Sequence, residues 1–489
     1  MTLEALLTFA GILLAALAIA RPLQRRSLAL FVPVWCLAAA MVVSFALIIC
    51  RDAPFGVSPP FGWSLPDVIF GLTVGAFVVP VVAALGSWVC WHRARLTGSR
   101  MGRVENLFQA ALREHEFDEV ERILRKNRQG LARLPATAAD VLFQPAMIAA
   151  LMESRSLIHL ELLAHMEFLK SLDNRLSAVE AVVRELVRAG VSPLRGAVVW
   201  RFGGLEGLTY SGRERTLIET TFQNPEWYTQ ANAHYPLLMA AVEALRSGEL
   251  DAVYNNVGQH YEARQGIATR SHCPIYLATK VHVLAIEAAL EKGVEKDLYV
   301  TDLFDVFNAV QDRSRFNEAV WESSLSYWEH PTPYAYLMYE ITGDLRDLCV
   351  TALKGAASKT TPPQVLAPGE VARALALTWS LCVWSIAESG NQVSARFRNH
   401  MIKSYLMFVL EIGWEPSQLH LGWAVGEVQG LQVWRDLFME ELRKRFGGQC
   451  DVPTGQLKEA VGSLDQFKRC VYEGKSWLEE KLFGHLPSG

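Results

Sequence analysis

The sequence predicts an all-α membrane protein, with three N-terminal transmembrane helices followed by a large helical cytosolic region. Three observations carry that expectation. The first hundred residues hold three apolar runs. Beyond them, apolar residues recur at helical spacing. No segment alternates convincingly as a strand would, and the best candidate, Ala197-Val-Val-Trp200, is too short to build a sheet on.

The first run, Leu6 to Ala20, is the shortest, and Glu4 marks its polar end. The second, Leu28 to Cys50, contains no charge. As a helix it reaches about 35 Å, enough for a hydrocarbon core of about 30 Å. The third, Val68 to Trp91, is also free of charge. In lipid no water satisfies the backbone, so such runs must be helical. Ala18-Ile-Ala20 resembles a signal-peptidase site, but no Lys or Arg precedes the run, so an uncleaved helix is the expectation.

Charge sets the orientation. Arg21, Arg25 and Arg26 lie between runs one and two, and Arg93, Arg95 and Arg100 follow run three. Arg51, with Asp52 and Asp67, lies between runs two and three. Positive residues stay on the cytoplasmic side. The N-terminus is therefore expected outside, the first loop inside, the second loop (Phe55 to Trp63) outside and the remainder in the cytosol. The six arginines before run two and after run three form the expected cytoplasmic membrane interface. Gly71 and Gly75, four apart, expose flat backbone on one face of the third helix. They are the expected packing surface within one chain or between two. Pro33 and Pro80 should bend helices two and three. No charge lies inside either helix, which argues against an ion pathway.

Seven of the 47 Lys and Arg and three of the 51 Asp and Glu fall in the first hundred residues. The remainder carries 40 against 48, a net charge of −8. That balance disfavours nucleic acid as a partner. The excess of Arg over Lys, with the charge asymmetry, suggests a bacterial inner membrane. None of the eight Cys has CxxC or CxxH spacing, so buried free thiols are expected and no zinc site is signalled.

Residues 101–353 read as one helical region, 354–369 as a Pro/Gly/Ser/Thr-rich linker and 370–489 as a second helical region. Helices are expected at Val104–Glu114, Phe117–Lys126, Thr137–Glu153 (kinked or split at Pro145), Leu157–Lys170, Leu176–Ala189, Tyr235–Arg246, Val253–Arg264, Ile275–Glu291 and Leu298–Val310. Further helices are expected at Ala374–Ala387, as a core helix, and within Leu419–Phe446 and Leu457–Leu482. Three stretches share a hairpin design, namely Ala111–Val120, Ala244–Val253 and Tyr339–Leu348. Each reads as a helix end, a small polar turn, one apolar residue (Phe117, Leu250 or Leu345) and a new helix. Such hairpins build α-solenoids and helical globules alike. The tetratricopeptide period of about 34 residues and its signature positions are absent.

Candidate chemistry is sparse. Glu161 and His165, four apart on one expected helix beside His159, could hold a metal, but an i,i+4 surface contact is favoured. The Gly-rich Phe202–Gly212, with Arg201, Arg213 and Arg215, fits neither phosphate-loop spacing and reads as a loop. His272-Cys273-Pro274 reads as a helix start rather than a nucleophile. Arg396, Arg398, His400 and Lys403 read as a solvated face. Of the aromatics from Trp321 to Tyr339, Trp321 is expected in the core and the Pro331–Tyr334 loop at a contact site.

No catalytic constellation, cofactor or metal site emerges. The leading expectation is a helical protein-interaction module that holds a partner, or a copy of itself, at the inner membrane. The alternative is a membrane-perturbing effector, for example of a bacterial anti-phage system, whose cytosolic domain senses a signal and triggers transmembrane assembly.

Overall fold

The computed structural model describes residues 8, 21, 24, 26–27, 30, 32, 34–52, 65–93, 98–127, 135–153, 156–172, 174–188, 194, 212–255, 273–294, 298–318, 332–358, 369–412, 431–446, 451–462 and 482. Among these, every regular element is helical and no strand occurs. The chain divides into two compact units, Met1–Val182 and Val183–Gly489.

The first unit holds α1 (Val34–Asp52), α2 (Leu65–Arg93), α3 (Gly98–Glu114), α4 (Asp118–Lys126), α5 (Ala136–Leu142), α6 (Pro145–Glu153), α7 (Ile158–Leu163) and α8 (Met166–Ser171); α9 (Arg175–Arg188) crosses the division. Val32 sits in a bend and α1 begins at Val34. A proline disfavours helix in the residue before it, so Pro33 sets this start. The first apolar run lies outside the described residues except for Thr8. α2 runs unbroken through Pro80, which is buried. α1 and α2 pack along a narrow seam of Ile48 and Ala76, flanked by Met41 and Leu47. Ser44 and Thr73 return their hydroxyls to the carbonyls of Ala40 and Ile69, both at 2.8 Å, so neither leaves a free polar group in the seam.

The turn between α3 and α4 follows the expected hairpin design. His115 takes φ +54°, and the Glu116 amide bonds back to the Ala111 carbonyl at 3.3 Å. This is the six-to-one closure that ends a helix through a left-handed residue. Pro145 splits the Thr137–Glu153 segment into α5 and α6, as expected. The single helix expected over Leu157–Lys170 is instead two. α7 stops at Leu163, and His165 is extended (φ −82°, ψ 106°) ahead of α8. Burial of Leu160, Leu162 and Leu163 on one element and Phe168 and Leu169 on the next outweighs continuity.

The second unit holds α10 (Gly212–Thr220), α11 (Pro225–Gln230), α12 (His234–Arg246), α13 (Asp251–Tyr254), α14 (Pro274–Glu291), α15 (Asp302–Arg313), α16 (Pro333–Ser358), α17 (Glu370–Glu388), α18 (Ala395–Ile412), α19 (Leu431–Phe446) and α20 (Asp451–Gly462). α14 is buried almost throughout and packs between α12 and α16. It starts as a cap predicts: Cys273 Sγ accepts the Tyr276 amide at 3.4 Å, and Pro274 occupies the first turn, where no amide partner is needed. It ends at Gly293 (φ +72°), with the Val294 amide on the Ala289 carbonyl at 2.9 Å. The same closure at Asn232 (φ +52°) separates α11 from α12.

α17 is the core helix anticipated from its all-round apolarity. Trp379 is enclosed by Tyr405 and Phe408 at ring distances of 5.1 and 4.9 Å. Tyr405 in turn donates to the Phe438 carbonyl at 2.8 Å, tying α18 to α19. Polar bonds join α15 to α17 and to the turn after it. Gln311 Nε2 donates to the Ser385 carbonyl (2.9 Å), and Ser314 Oγ donates to the Gln392 carbonyl (3.1 Å). The Ala244–Val253 hairpin forms, with Gly248 at φ +72°. There a Cβ would collide with the Arg313 guanidinium at 2.4 Å.

The third expected hairpin does not form. α16 is one 26-residue helix through Thr342, Gly343 and Asp344. Ile341, Leu345 and Leu348 are all buried on it, and that burial overrides the local turn signal. α16 also continues to Ser358, into the stretch read as a linker, of which residues 359–368 lie outside the described residues. The helix expected from Leu298 begins at Asp302, after a turn in which Tyr299 takes φ +62°.

Candidate functional site

The α1–α2 pair is apolar on its outside. Val42, Val43, Phe45 and Ile49 on α1, and Phe70, Val74, Val78, Val82 and Leu85 on α2, are all exposed. Among the described residues, two helices are long and apolar enough to cross a membrane, Pro66–Ser87 within α2 and Glu370–Glu388; the apolar part of α1, Ala39–Arg51, is shorter. α17 is mostly covered by protein, whereas among the described residues the hairpin buries a narrow seam and leaves most of α2 bare. A Cβ on Gly75 would meet Leu47 Cδ1 at 3.4 Å, ordinary contact; nothing lies within 4 Å of one on Gly71.

The segment before α1 is fastened to the helices after α2. Ser27 is fully buried and donates its hydroxyl to Glu119 Oε1 on α4. Arg122, one turn on, grips the same carboxylate, with Nε donating to Oε2 at 2.8 Å and Nη2 to Oε1, while Nη2 also reaches Ser27 Oγ at 3.1 Å. Glu119 is therefore satisfied despite being 6% exposed. Burial of an unpaired carboxylate would be costly. Around this centre Arg26 pairs with Glu114 at 2.8 Å and Arg21 with Asp118 at 3.5 Å. Two of the six arginines read as a membrane interface thus meet acids of α3 and α4. Arg25 and Arg95 lie outside the described residues, and Arg93 and Arg100 are described in backbone only.

The second unit buries two polar clusters that the sequence reading missed. Lys280 of α14 is 2% exposed and pairs with Glu340 (2.8 Å) and Asp344, both on α16. Its ammonium also lies 5.3 Å from the Tyr276 ring centroid. Burial pushes the Asp344 carboxyl up to about 7, against the pull of Lys280. The second cluster is Tyr228, His234, His282, Tyr299 and Asp302. Tyr228 Oη donates to His282 Nδ1 at 2.6 Å, and His282 Nε2 donates to the Tyr299 carbonyl at 3.1 Å. That fixes a neutral imidazole, and burial holds it at about 3. Tyr299 stacks on His234, which burial holds at about 4. These are supports between helices. The bonded partners lie 54 residues apart in one cluster and 64 in the other, so periodicity gives no signal for either; only the apolar run around Lys280 and His282 hints that both are buried.

The other candidates resolve as follows. His159 and Glu161 are both buried on α7, while His165 belongs to the break after it, so the shared helix face on which a metal pair was conceived does not exist. His159 Nε2 donates to the Leu142 carbonyl at 2.9 Å, and burial holds the ring at about 4. No cluster of three or more metal-binding side chains occurs among the described residues. Cys273 is a buried cap whose thiol burial pushes up, as expected for a structural thiol. Cys349 and Cys382 are likewise buried and free, while Cys50 and Cys90 are exposed.

The basic stretch on α18 is the expected solvated face only in part: Arg396 is exposed, whereas Arg398 is buried with Glu459 of α20 nearby and His400 stacks on Tyr339 of α16 at 5.9 Å. Tyr334, placed at a contact loop, is instead fully buried at the start of α16 and donates to Asp251 Oδ1 at 2.8 Å. Trp321, Arg201, His272 and the Gly-rich stretch up to residue 211 lie outside the described residues. Comparison with protein-family models, with curated proteins and with solved structures gave no match for this chain.

Proposed function

We propose that this protein is a membrane-anchored helical interaction module, in which α1 and α2 cross the bacterial inner membrane and the helices after α2 hold a protein partner, or a second copy, on its cytosolic side. The observation that carries the reading is the bare apolar surface of the α1–α2 hairpin. Water gives such a surface no stabilisation, and exposed apolar patches of this extent mark contact with lipid or protein. α1 is about 28 Å long and α2 about 43 Å, lengths that suit a bilayer core of about 30 Å with tilt.

The fastening of Ser27 and Arg26 to α3 and α4 supports the orientation drawn from charge. The segments before α1 and after α2 touch, so they share a side of the membrane. The arginines of both support the cytosol as that side. A first membrane helix would then leave the N-terminus outside. The acidic balance argues for protein over nucleic acid as the partner.

Alkaline carbonate extraction of membranes from cells making the full chain tests the reading. The protein should stay with the lipid pellet, and release into the supernatant would overturn it. The Ser27–Glu119–Arg122 joint, which links membrane hairpin and soluble helices, keeps the effector reading in view. Loss of membrane potential on overproduction would replace the passive anchor with that reading.

A further inference from the structure

We propose that α16 is a hinged helix, with Gly343 as the hinge and the Lys280–Asp344 ion pair as the latch that holds it straight. Three observations converge on this point. The sequence Thr342-Gly343-Asp344 is written as a turn, yet it lies in the middle of a 26-residue helix. Gly343 also has no role in the straight helix. Its φ is not positive, and nothing lies within 4 Å of a Cβ built on it. Ala would therefore fit and favour the helix, whereas Gly weakens it. Glycine is required in the alternative, where α16 ends at Thr342 and Gly343 takes the left-handed position after it.

Asp344 is the residue for which the two forms compete. In the straight helix its carboxylate is committed to Lys280, and Oδ2 has no hydrogen-bond partner among the described residues. In the broken form Asp344 is placed to cap a new helix beginning at Leu345, accepting amides at the second or third position. Lys280 would keep Glu340, its other partner at 2.8 Å, so opening does not strand a buried cation. Thr342 adds to the weakness of the straight form. Its hydroxyl turns back onto the carbonyls of Tyr339 (2.9 Å) and Met338 (3.3 Å), a contact that bends helices. The two halves also serve different neighbours. Tyr334 in the first binds Asp251, whereas Leu345 to Leu353 in the second share the core with α17 and α18.

Hydrogen–deuterium exchange of the full chain, read residue by residue across α16, tests this. Amides 344–347, whose helical acceptors are residues 340–343, should exchange about tenfold faster than those near Tyr336 and Cys349. Gly343→Ala should slow them by about fivefold or more. Lys280→Met should speed them by about a further tenfold while leaving α17 unchanged. Uniform protection along wild-type α16, or an unchanged rate at 344–347 in Gly343→Ala, would overturn the hinge. Acceleration spread evenly over a folded Lys280→Met protein would overturn the latch. Should that variant fail to fold, Asp344→Asn, which removes the carboxylate from Lys280 and can still cap a helix at Leu345, replaces it, and no acceleration at 344–347 there would overturn the latch.

Discussion

α2 and α17 are both apolar, with mean hydropathies of 2.5 and 1.2, and opposite in surroundings. Both are long and apolar enough to cross a membrane, yet 12% of the α2 window is buried by protein and 72% of the α17 window is. α17 has Trp379, Cys382 and Ile386 buried, Trp379 against Tyr405 and Phe408 of α18, with Ser385 tied to Gln311. α2 has one seam against α1 and bare Val, Leu and Phe elsewhere. Apolarity alone does not distinguish a core helix from a membrane helix. The neighbours that the fold supplies distinguish them.

The comparison breaks most sharply under a buried charge. Leu375→Arg on α17 should abolish cooperative unfolding of the second unit, since an unpaired charge in a core exceeds the stability of most domains. Val82→Arg on exposed α2 should leave that unit folded and weaken membrane retention, by about 3 kcal/mol on insertion scales. Thermal melts in detergent and membrane fractionation read the two effects. If Val82→Arg also unfolded the second unit, α2 would belong to its core.

Truncation should scale in the same way. Trp379→Ala should cost about 3–5 kcal/mol in denaturant unfolding. Phe70→Ala, on a side chain 71% exposed, should cost less than about 0.5 kcal/mol in detergent. A large effect at Phe70 would reveal a protein neighbour on that face.

Acid should separate the regions as well. His159 is held at about 4 and His282 at about 3, below the usual 6.5, so the folded state favours their neutral forms. That stabilisation is complete above pH 6.5 and is lost as pH falls toward 4 and 3. By pH 4 the loss amounts to about 3 kcal/mol for each ring. The melting temperatures of the first unit, which holds His159, and of the second, which holds His282, should fall over this window, and His282→Gln should flatten the fall of the second. α1 between Val34 and Cys50, and α2 between Val68 and Trp91, contain no titratable carboxylate or base, so membrane retention should not change.

The smallest effect is expected at the glycines. Gly75→Leu must displace Leu47 and should weaken hairpin packing by about 1–2 kcal/mol, whereas Gly71→Leu enters open space and should change little. Cross-linking between chains that falls in Gly71→Leu would instead place a second copy on that face.

Much of the fold was legible because its causes are local. Pro145 splits one segment, Cys273-Pro274 starts α14, and the all-round apolarity of Ala374–Ala387, a run too short to span a bilayer, marks a core helix. Where causes are distant, the reading failed. The turn written at Gly343 is overruled by Lys280, 64 residues away in sequence at the Asp344 contact. The α7–α8 break and the burial of Arg398 depend on neighbours that periodicity does not reveal. The joint of Ser27 with Glu119 spans 92 residues, and a lone serine beside arginines carries no sign of it.

The central claim is that α1 and α2 traverse a bilayer with both outer segments in the cytosol, and two native cysteines test it directly. Cys50 lies near the end of α1 and Cys90 near the end of α2, and both are exposed. Intact spheroplasts are treated with a membrane-impermeant maleimide, and the modified sites are mapped by mass spectrometry. The account predicts modification of Cys50 in intact cells and of Cys90 only after permeabilisation. Modification of both from one side, or of Cys90 alone from outside, would contradict it.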